Sequence, residues 1–187
     1  MASIVAEALR REAYREALVA TYVWGKGKRG SRRGSGPATL GKILTAGGLD
    51  AALERAVTTL GEQSAEAAYA ELQGLVPEFG PSFYTKFLYF AGKSVRSASG
   101  PQPLILDQVL AQQMRSVAQA VGRETGHDPD GSIAGWVWRD ANWSPHRYAV
   151  YLSFMQAASR QAATMPLWPS YATPDLLEYA LFSTSWR

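Results

Sequence analysis

The sequence predicts an all-α protein. Apolar residues recur at helical spacing through most of the chain, in segments rich in alanine and leucine. Proline stands at the first helical position of three later segments, where its missing N–H costs nothing: Pro81, Pro145 and Pro174. Convincing alternation of polar and apolar residues is absent, because Gly135 weakens the strand-like stretch 133–138.

The predicted helices follow in order along the chain. A first helix is expected over residues 3–23, where acidic and basic side chains are spaced for pairing on the exposed face. Three short helices follow, over 38–46, 49–60 and 64–75, separated by glycine-containing breaks. The remaining helices are expected to begin at Pro81, Asp107, Pro145 and Pro174.

The size and composition fit one compact domain over residues 1–187. The chain has 187 residues and 47% hydrophobic composition. Its longest apolar runs, such as 104–106, are far shorter than the roughly 20 residues that a membrane span needs. It has no cysteine and two histidines, and its start lacks the basic and apolar regions of a signal peptide. We therefore expect a cytoplasmic protein without disulfides, a metal site or a redox cofactor.

Basic residues are concentrated in one glycine-rich segment without acids, residues 24–37. The segment contains Lys26, Lys28, Arg29, Arg32 and Arg33. The formal net charge of the whole chain is +3, so the rest of the chain carries 3 − 5 = −2. Glycine lets a backbone approach a polyanion closely while the cations neutralise phosphates. Contact with nucleic acid and a solvated loop explain this segment equally well.

Residues 75–92 carry the most informative pattern: a helix end, a tight turn, and a helix that is apolar on nearly every face. Such a helix is normally buried. Lys86 is the only charge between Phe83 and Gly92, so it either extends to water or lies in a poorly solvated pocket. Because burial disfavours a charged ammonium, a pocket would favour a neutral amine able to attack an electrophilic carbon. Extension to water is the commoner outcome for a lysine.

The stretch 103–111 is an apolar approach to an aspartate that begins an amphipathic helix. Asp107 stands at the N-cap position, where aspartate commonly accepts backbone N–H bonds. Capping alone therefore explains this residue, and only its neighbours in the sequence suggest a further role.

Taken together, residues 75–112 resemble the helix-hairpin-helix DNA glycosylases. The resemblance lies in a Leu-x-Pro-x-hydrophobic-Gly turn, a helix that carries a lysine, and a later Ile-Leu-Asp-x-x-Val element. Lys86 and Asp107 are 107 − 86 = 21 positions apart. The run 85–91 is similar to bacterial proteins with the 8-oxoguanine glycosylase fold. Its Lys-x-x-x-Phe-Ala pattern is similar to the archaeal 8-oxoguanine glycosylases.

The resemblance implies an enzyme that flips a nucleotide out of DNA and excises an oxidised purine such as 8-oxoguanine. Lys86 would attack C1′ of the sugar, and Asp107 would stabilise the positive charge that grows there. Strand cleavage by an abasic-site lyase activity would follow, without a cofactor. We expect a monomer whose partner is DNA with a damaged base, and whose hairpin contacts the phosphate backbone at Gly80 and Ser82.

Three side chains are candidates for the base pocket. Phe90 follows Lys86 by four residues, and the resemblance places a base-stacking ring there. Glu178 and Phe182 are again four apart on the last helix, where related enzymes use a polar and an aromatic residue to hold the base. Core packing explains Phe90 at least as well. An exposed position on an amphipathic helix would explain Glu178.

Two departures from the family pattern affect these expectations. Glu78 stands where the hairpin usually has a small residue, often glycine, and its carboxylate could repel the phosphate. The family's lysine usually stands two residues after the hairpin glycine, at the position of Ser82. Lys86 lies one helical turn further on, which keeps it near the same helix face.

Two other classes of function fit the same sequence. A noncatalytic DNA-binding protein would keep the hairpin and the basic segment, with Lys86 extended to water and Asp107 only capping its helix. An all-α interaction protein would use the basic segment for an acidic partner. Schiff-base trapping distinguishes the first from an enzyme, and salt-dependent binding of plain duplex DNA counts against the second.

Overall fold

The computed structural model describes residues 1–27 and 36–184 and is helical throughout, with no strand in these ranges. Its helices are α1 (Ala2–Arg10), α2 (Tyr14–Lys26), α3 (Gly36–Thr45), α4 (Leu49–Glu62), α5 (Ala65–Leu72), α6 (Pro81–Ala91), α7 (Gln108–Thr125), α8 (Ser132–Val137), α9 (Pro145–Ala162) and α10 (Pro174–Thr184). An isolated parallel bridge joins Ser64 and Ser99. The all-α prediction is confirmed. No described helix combines the length and the apolar character that crossing a membrane requires.

Helices marked by proline or a capping side chain begin where the sequence predicts. α6, α9 and α10 begin at Pro81, Pro145 and Pro174, and α7 follows its N-cap Asp107. Ser64 caps α5 by accepting a hydrogen bond from a backbone N–H. Local chemistry at the first turn is therefore sufficient to place these helix starts.

The helix expected over residues 3–23 is instead two helices, α1 and α2. The chain turns at residues 11–13, where Glu12 has a φ angle of 57°. An L-residue in the left-handed region cannot continue a right-handed helix, so the first helix ends there. Charge pairs and apolar spacing continue across this turn, which is why the sequence pattern did not reveal it.

The strand-like stretch 133–138 is helical and forms most of α8. Asp128 accepts hydrogen bonds from the backbone N–H groups of Ile133 (3.2 Å) and Ala134 (2.9 Å). A carboxylate on first-turn N–H groups stabilises a helix start. The N-cap position of α8 is Gly131. A search for a capping residue at that position therefore does not find Asp128.

The helices group into two compact units, Met1–Ile105 and Leu106–Arg187. In the first unit, α6 contacts α1, α2, α4 and α5. Its side chains Tyr84, Phe87 and Leu88 are wholly buried, as predicted for a helix that is apolar on nearly every face.

In the second unit, α10 packs against α7 and α9, and α8 packs against α7. Tyr148, Tyr151 and Met155 of α9 are wholly buried and form much of its core. The expectation of a single domain over 1–187 stays a prediction.

The buried contact between α5 and α6 includes an ionisable group. The rings of Tyr69 and Tyr84 meet edge to face with centroids 4.8 Å apart, and both are wholly buried. Burial raises the pKa of Tyr69 to about 12, and a hydrogen bond with Tyr84 opposes part of this effect.

We expect the free energy of unfolding to fall above pH 10 because of Tyr69. Its folded-state pKa is raised, so its contribution is complete below the ordinary pKa of 10.0 and is lost as the pH rises through about 12. Tyr69→Phe should be about 1 kcal/mol less stable than wild type at pH 8, because a buried hydrogen bond is lost. By pH 11.5 the difference should shift in favour of the variant by about 2 kcal/mol. Urea unfolding at the two pH values measures this shift, and a constant difference would contradict it.

Candidate active site

Lys86 lies on the buried side of α6, in the first compact unit. The residue is only 8% exposed. Its Nζ donates a hydrogen bond to the carbonyl oxygen of Ser82, one turn earlier in the same helix, at 2.8 Å. Of the two environments considered for this lysine, the structure shows the buried one.

The aliphatic part of Lys86 lies against the backbone of α2 at Gly25. A β-carbon at position 25 would stand 2.7 Å from Cδ and 3.2 Å from Cε of Lys86. Glycine at this position therefore leaves the space that the lysine occupies. Sequence reasoning missed this contact. The predicted helix ended at residue 23 and left Gly25 in the glycine-rich segment 24–37, whereas α2 continues to Lys26, so no signal in the sequence pointed to this contact.

Aromatic contacts join α2 and α6 before and after Lys86. Tyr22 stacks on Phe83 with ring centroids 4.5 Å apart. Trp24 meets Phe90 edge to face, with centroids 4.9 Å apart. Phe83 and Phe90 are three residues before and four residues after the lysine, so both lie near it on the helix surface. The two pairs fix α2 and α6 against each other on either side of Lys86.

Two predicted site residues take part in this packing. Phe90 is 6% exposed and contacts the ring of Tyr89 (5.0 Å) as well as that of Trp24. Lys26, at the end of α2, places Nζ 4.8 Å from the centroid of the Phe83 ring, an attractive cation–π arrangement. The other predicted cations lie outside the described residues: Lys28, Arg29, Arg32 and Arg33.

Residues 73–80 join α5 to α6, at the position where the sequence predicts the hairpin turn. Gly80 is the N-cap of α6, and Ser82 lies in its first turn. First-turn N–H groups have no acceptor within their helix, and this leaves them suited to holding anions. The phosphate contact of Gly80 and Ser82 stays a prediction.

Glu78 occupies the hairpin position where a small residue was expected. Its φ angle is 65°, in the left-handed region that favours glycine. Its carboxylate lies 3.5 Å from Nζ of Lys42 on α3, and both side chains are largely exposed. The charge that would repel a phosphate thus has a cation beside it, which weakens the expected repulsion.

Asp107 lies in the second unit and caps α7. Its Oδ1 accepts a hydrogen bond from the backbone N–H of Leu110 at 3.1 Å, as the sequence predicts. Asp107 also contributes to the electrostatic environment of Tyr151. Burial raises the pKa of Tyr151 well above its ordinary value, and the negative charges of Glu178 and Asp107 raise it further. Tyr151 therefore stays protonated near neutral pH.

Glu178 is 7% exposed, so the exposed position considered for it is wrong. Its carboxyl group forms a hydrogen bond with Tyr151, in which the protonated phenol is the donor. Phe182, one turn further along α10, is half-buried. Sequence reasoning missed Tyr151 and its stacked neighbour Tyr148. Their spacing of three on α9 indicates a shared face but does not identify what they contact.

The predicted site residues thus form two groups. The first unit holds Lys86 with Phe90 and Lys26, and the second holds Asp107 and Glu178 in the surroundings of Tyr151. The pairing of Lys86 with Asp107 stays a prediction. In the described part of the chain, no three histidine, aspartate or glutamate side chains form a group that could hold a metal ion.

The described residues form an all-α fold with a buried lysine on α6, and the family match gives the class of protein. A family model described as "Putative 8-oxoguanine DNA glycosylase OGG-like protein" matches residues 2–182. The chain belongs to this family, which confirms the resemblance seen in the sequence. Membership indicates a DNA glycosylase-type function with DNA as the partner. No curated protein and no solved structure matches the chain.

Glu78→Gly should raise both the stability of the protein and its affinity for duplex DNA. Glycine adopts a φ angle of 65° without the steric cost to a side chain, a gain of about 1 kcal/mol. The corresponding rise in Tm is about 2–4 °C. Loss of the carboxylate should also leave the hairpin amides and Lys42 more attractive to a phosphate. Thermal unfolding and fluorescence anisotropy with a labelled duplex measure the two effects.

Glu12→Gly is the matched control. Glu12 also has a positive φ angle, 57°, and its substitution removes the same charge from the turn between α1 and α2. It should raise Tm but leave DNA affinity nearly unchanged. Equal gains in affinity for the two variants would mean that only net charge matters. No gain for Glu78→Gly would contradict a phosphate contact at the hairpin.

Proposed function

We propose that this protein is a DNA glycosylase with abasic-site lyase activity that excises 8-oxoguanine, an oxidised purine, from DNA. The observation that carries the proposal is the buried amine of Lys86 in a member of an OGG-like family. Burying a lysine costs free energy. Lysine is seldom found buried in proteins unless it has a partner.

Lys86 is the nucleophile in this proposal. Its Nζ attacks C1′ of the flipped nucleotide, the bond from C1′ to the purine nitrogen breaks, and the purine leaves with the bonding electrons and takes up the proton that Nζ loses. Opening of the sugar ring, in which O4′ takes up a proton from water, then gives a Schiff base. Removal of a proton from C2′ then expels the 3′ phosphate and cuts the strand. Water finally hydrolyses the Schiff base and releases the amine.

Asp107 stabilises the positive charge that grows on the sugar as the base leaves. Its hydrogen bond from the Leu110 N–H orients the carboxylate, so the charge is fixed before the reaction begins.

Glu178 and Phe182 hold the flipped purine in this proposal. Glu178 accepts N–H bonds from the base, and its hydrogen bond with Tyr151 fixes the direction of its carboxyl group. Phe182 provides a stacking ring one turn away, and Phe90 provides a second. Favourable contacts with the extruded base offset the few kcal/mol that unstacking costs.

The phosphate backbone is held by the first turn of α6 at Gly80 and Ser82 and by the basic segment 24–37. Of the basic residues in that segment, Lys26 is the one that the structure describes, and it lies at the C-terminal end of α2. Contacts of this kind position the duplex without reading its sequence. The proposed enzyme works as a monomer without a cofactor.

Borohydride trapping with Lys86→Gln tests the proposal. Wild-type protein incubated with a duplex containing one 8-oxoguanine and borohydride should release the base. It should also form a covalent adduct, because reduction converts the Schiff base into a stable amine. Lys86→Gln should lose the adduct. Lys93→Gln is the control, since Lys93 is exposed and follows α6 directly, and it should retain the adduct.

Absence of both base release and adduct from wild-type protein would contradict the proposal and favour a noncatalytic DNA-binding protein. Base release without an adduct would contradict the lyase step alone. An adduct that persists in Lys86→Gln would show that another amine is the nucleophile.

Gly25→Ala should displace the amine without unfolding the protein. The added β-carbon would stand 2.7 Å from Cδ of Lys86. Because Cδ belongs to a flexible side chain, the lysine should move rather than the helix backbone. We expect Tm to stay within about 4 °C of wild type, since alanine improves helix propensity by up to about 1 kcal/mol. The trapping rate should fall at least about 10-fold, because small misplacements of reacting groups are costly.

Gly41→Ala is the control for helix propensity. Gly41 is in α3, and a β-carbon added there would have no neighbouring atom within 4 Å, so alanine should add stability and leave trapping unchanged. A normal trapping rate in Gly25→Ala would contradict the importance of the present amine position.

A further inference from the structure

The second unit exposes a large aromatic ring that its core does not use. Trp136 on α8 is 65% exposed. Tryptophan has the largest apolar area of any side chain, so leaving it in water forgoes a substantial stabilisation. Ile133, one turn earlier on the same helix, is 57% exposed. The exposed surface of α8 is therefore apolar and suited to a flat ligand.

Arg147 covers one face of this ring. Its guanidinium carbon lies 4.2 Å from the centroid of the Trp136 ring, within the range of a cation–π interaction. A planar guanidinium stacked on indole keeps its N–H groups directed outward at its edge. The pair thus presents an open aromatic face beside hydrogen-bond donors that carry a positive charge.

α8 is held firmly enough to present such a pair. Asp128 accepts two backbone N–H bonds from its first turn, and the Asp128 N–H donates to the carbonyl of Gly122 on α7 at 3.1 Å. Asp128 is 7% exposed, so these bonds are largely protected from water. Rigid support lowers the entropic cost of binding.

The charge around the pair favours an anionic ligand. Neither α8 nor α9 contains an aspartate or glutamate. Among the described residues, Arg147 forms no ion pair with a carboxylate. A ligand that combines a flat ring with a negative charge fits these features, and a nucleotide in a strand is such a ligand.

We propose that Trp136 and Arg147 form a binding site for an unstacked nucleobase and its neighbouring phosphate. The base stacks on the open face of Trp136, and Arg147 contacts the phosphate. Trp136 and Arg147 are not among the residues proposed to hold the reacting base, so we assign this site to a second nucleotide of the strand. The inference rests on the proposed function in taking DNA as the ligand.

Binding of a short single strand that contains 2-aminopurine tests this site. Stacking on tryptophan should change the emission of the 2-aminopurine, and Trp136→Ala should abolish that change and weaken binding about 10-fold. Trp136→Phe should retain most of both, because its ring still stacks. Arg147→Gln should lower the salt dependence of binding by the equivalent of one phosphate contact, a slope change of about 0.7.

Tyr171→Ala is the matched control, since Tyr171 is an exposed aromatic residue, 76% exposed, elsewhere in the second unit. It should bind like wild type. Unchanged binding by Trp136→Ala, or an equal loss in Tyr171→Ala, would overturn the inference. Loss in Trp136→Phe as large as in Trp136→Ala would overturn stacking. Binding of poly-glutamate through Trp136 without binding of DNA would overturn the choice of ligand.

The trapping assay separates this inference from the proposed function. An adduct that forms normally, together with strand binding that does not depend on Trp136, would overturn only the inference. Absence of both base release and adduct, together with Trp136-dependent stacking, would overturn only the glycosylase proposal.

Discussion

The burial of α6 is the constraint on which the first unit depends. This helix contacts α1, α2, α4 and α5, and its apolar side chains fill the space among them. One amine is included in this packing, and its hydrogen bond to the Ser82 carbonyl satisfies a donor that would otherwise be costly to bury. The same packing that stabilises the unit therefore fixes the position of the lysine, so stability and chemistry share one structural element.

The two acidic groups of the second unit, Asp107 and Glu178, have different hydrogen-bond partners. Asp107 is bound by the backbone of its own helix, whereas Glu178 is bound by a buried phenol. A capping carboxylate accepts hydrogen bonds from the first-turn N–H groups, which hold it at the start of its helix. A carboxylate that meets a buried tyrosine is constrained in direction instead. The two groups are thus suited to different tasks, one electrostatic and one of recognition.

Much of the fold could be predicted from local chemistry, and the failures have physical causes. The helix starts at proline, serine and aspartate were predictable because each of these residues favours a helix start through its own backbone angle or through a hydrogen bond within the first turn. The break at Glu12 was not predicted because it depends on the positive φ angle of this residue, whereas the helical spacing of the side chains continues across it. The helix at residues 132–137 escaped it because its stabilising carboxylate, Asp128, lies four residues before the first helical residue. Lys86 was identifiable as an isolated charge, but Gly25 and Tyr151 act through tertiary contacts that no local pattern records.

The contact between Gly25 and Lys86 has a consequence for reading related sequences. A side chain larger than hydrogen at position 25 and a lysine in its present conformation exclude each other, since a β-carbon would stand 2.7 Å from Cδ. Chains with this hairpin that keep both residues preserve an inward amine. In chains with a larger residue in place of this glycine, the lysine must adopt another side-chain conformation or be replaced. We therefore expect the two positions, 61 apart in the sequence (86 − 25), to change together in related chains.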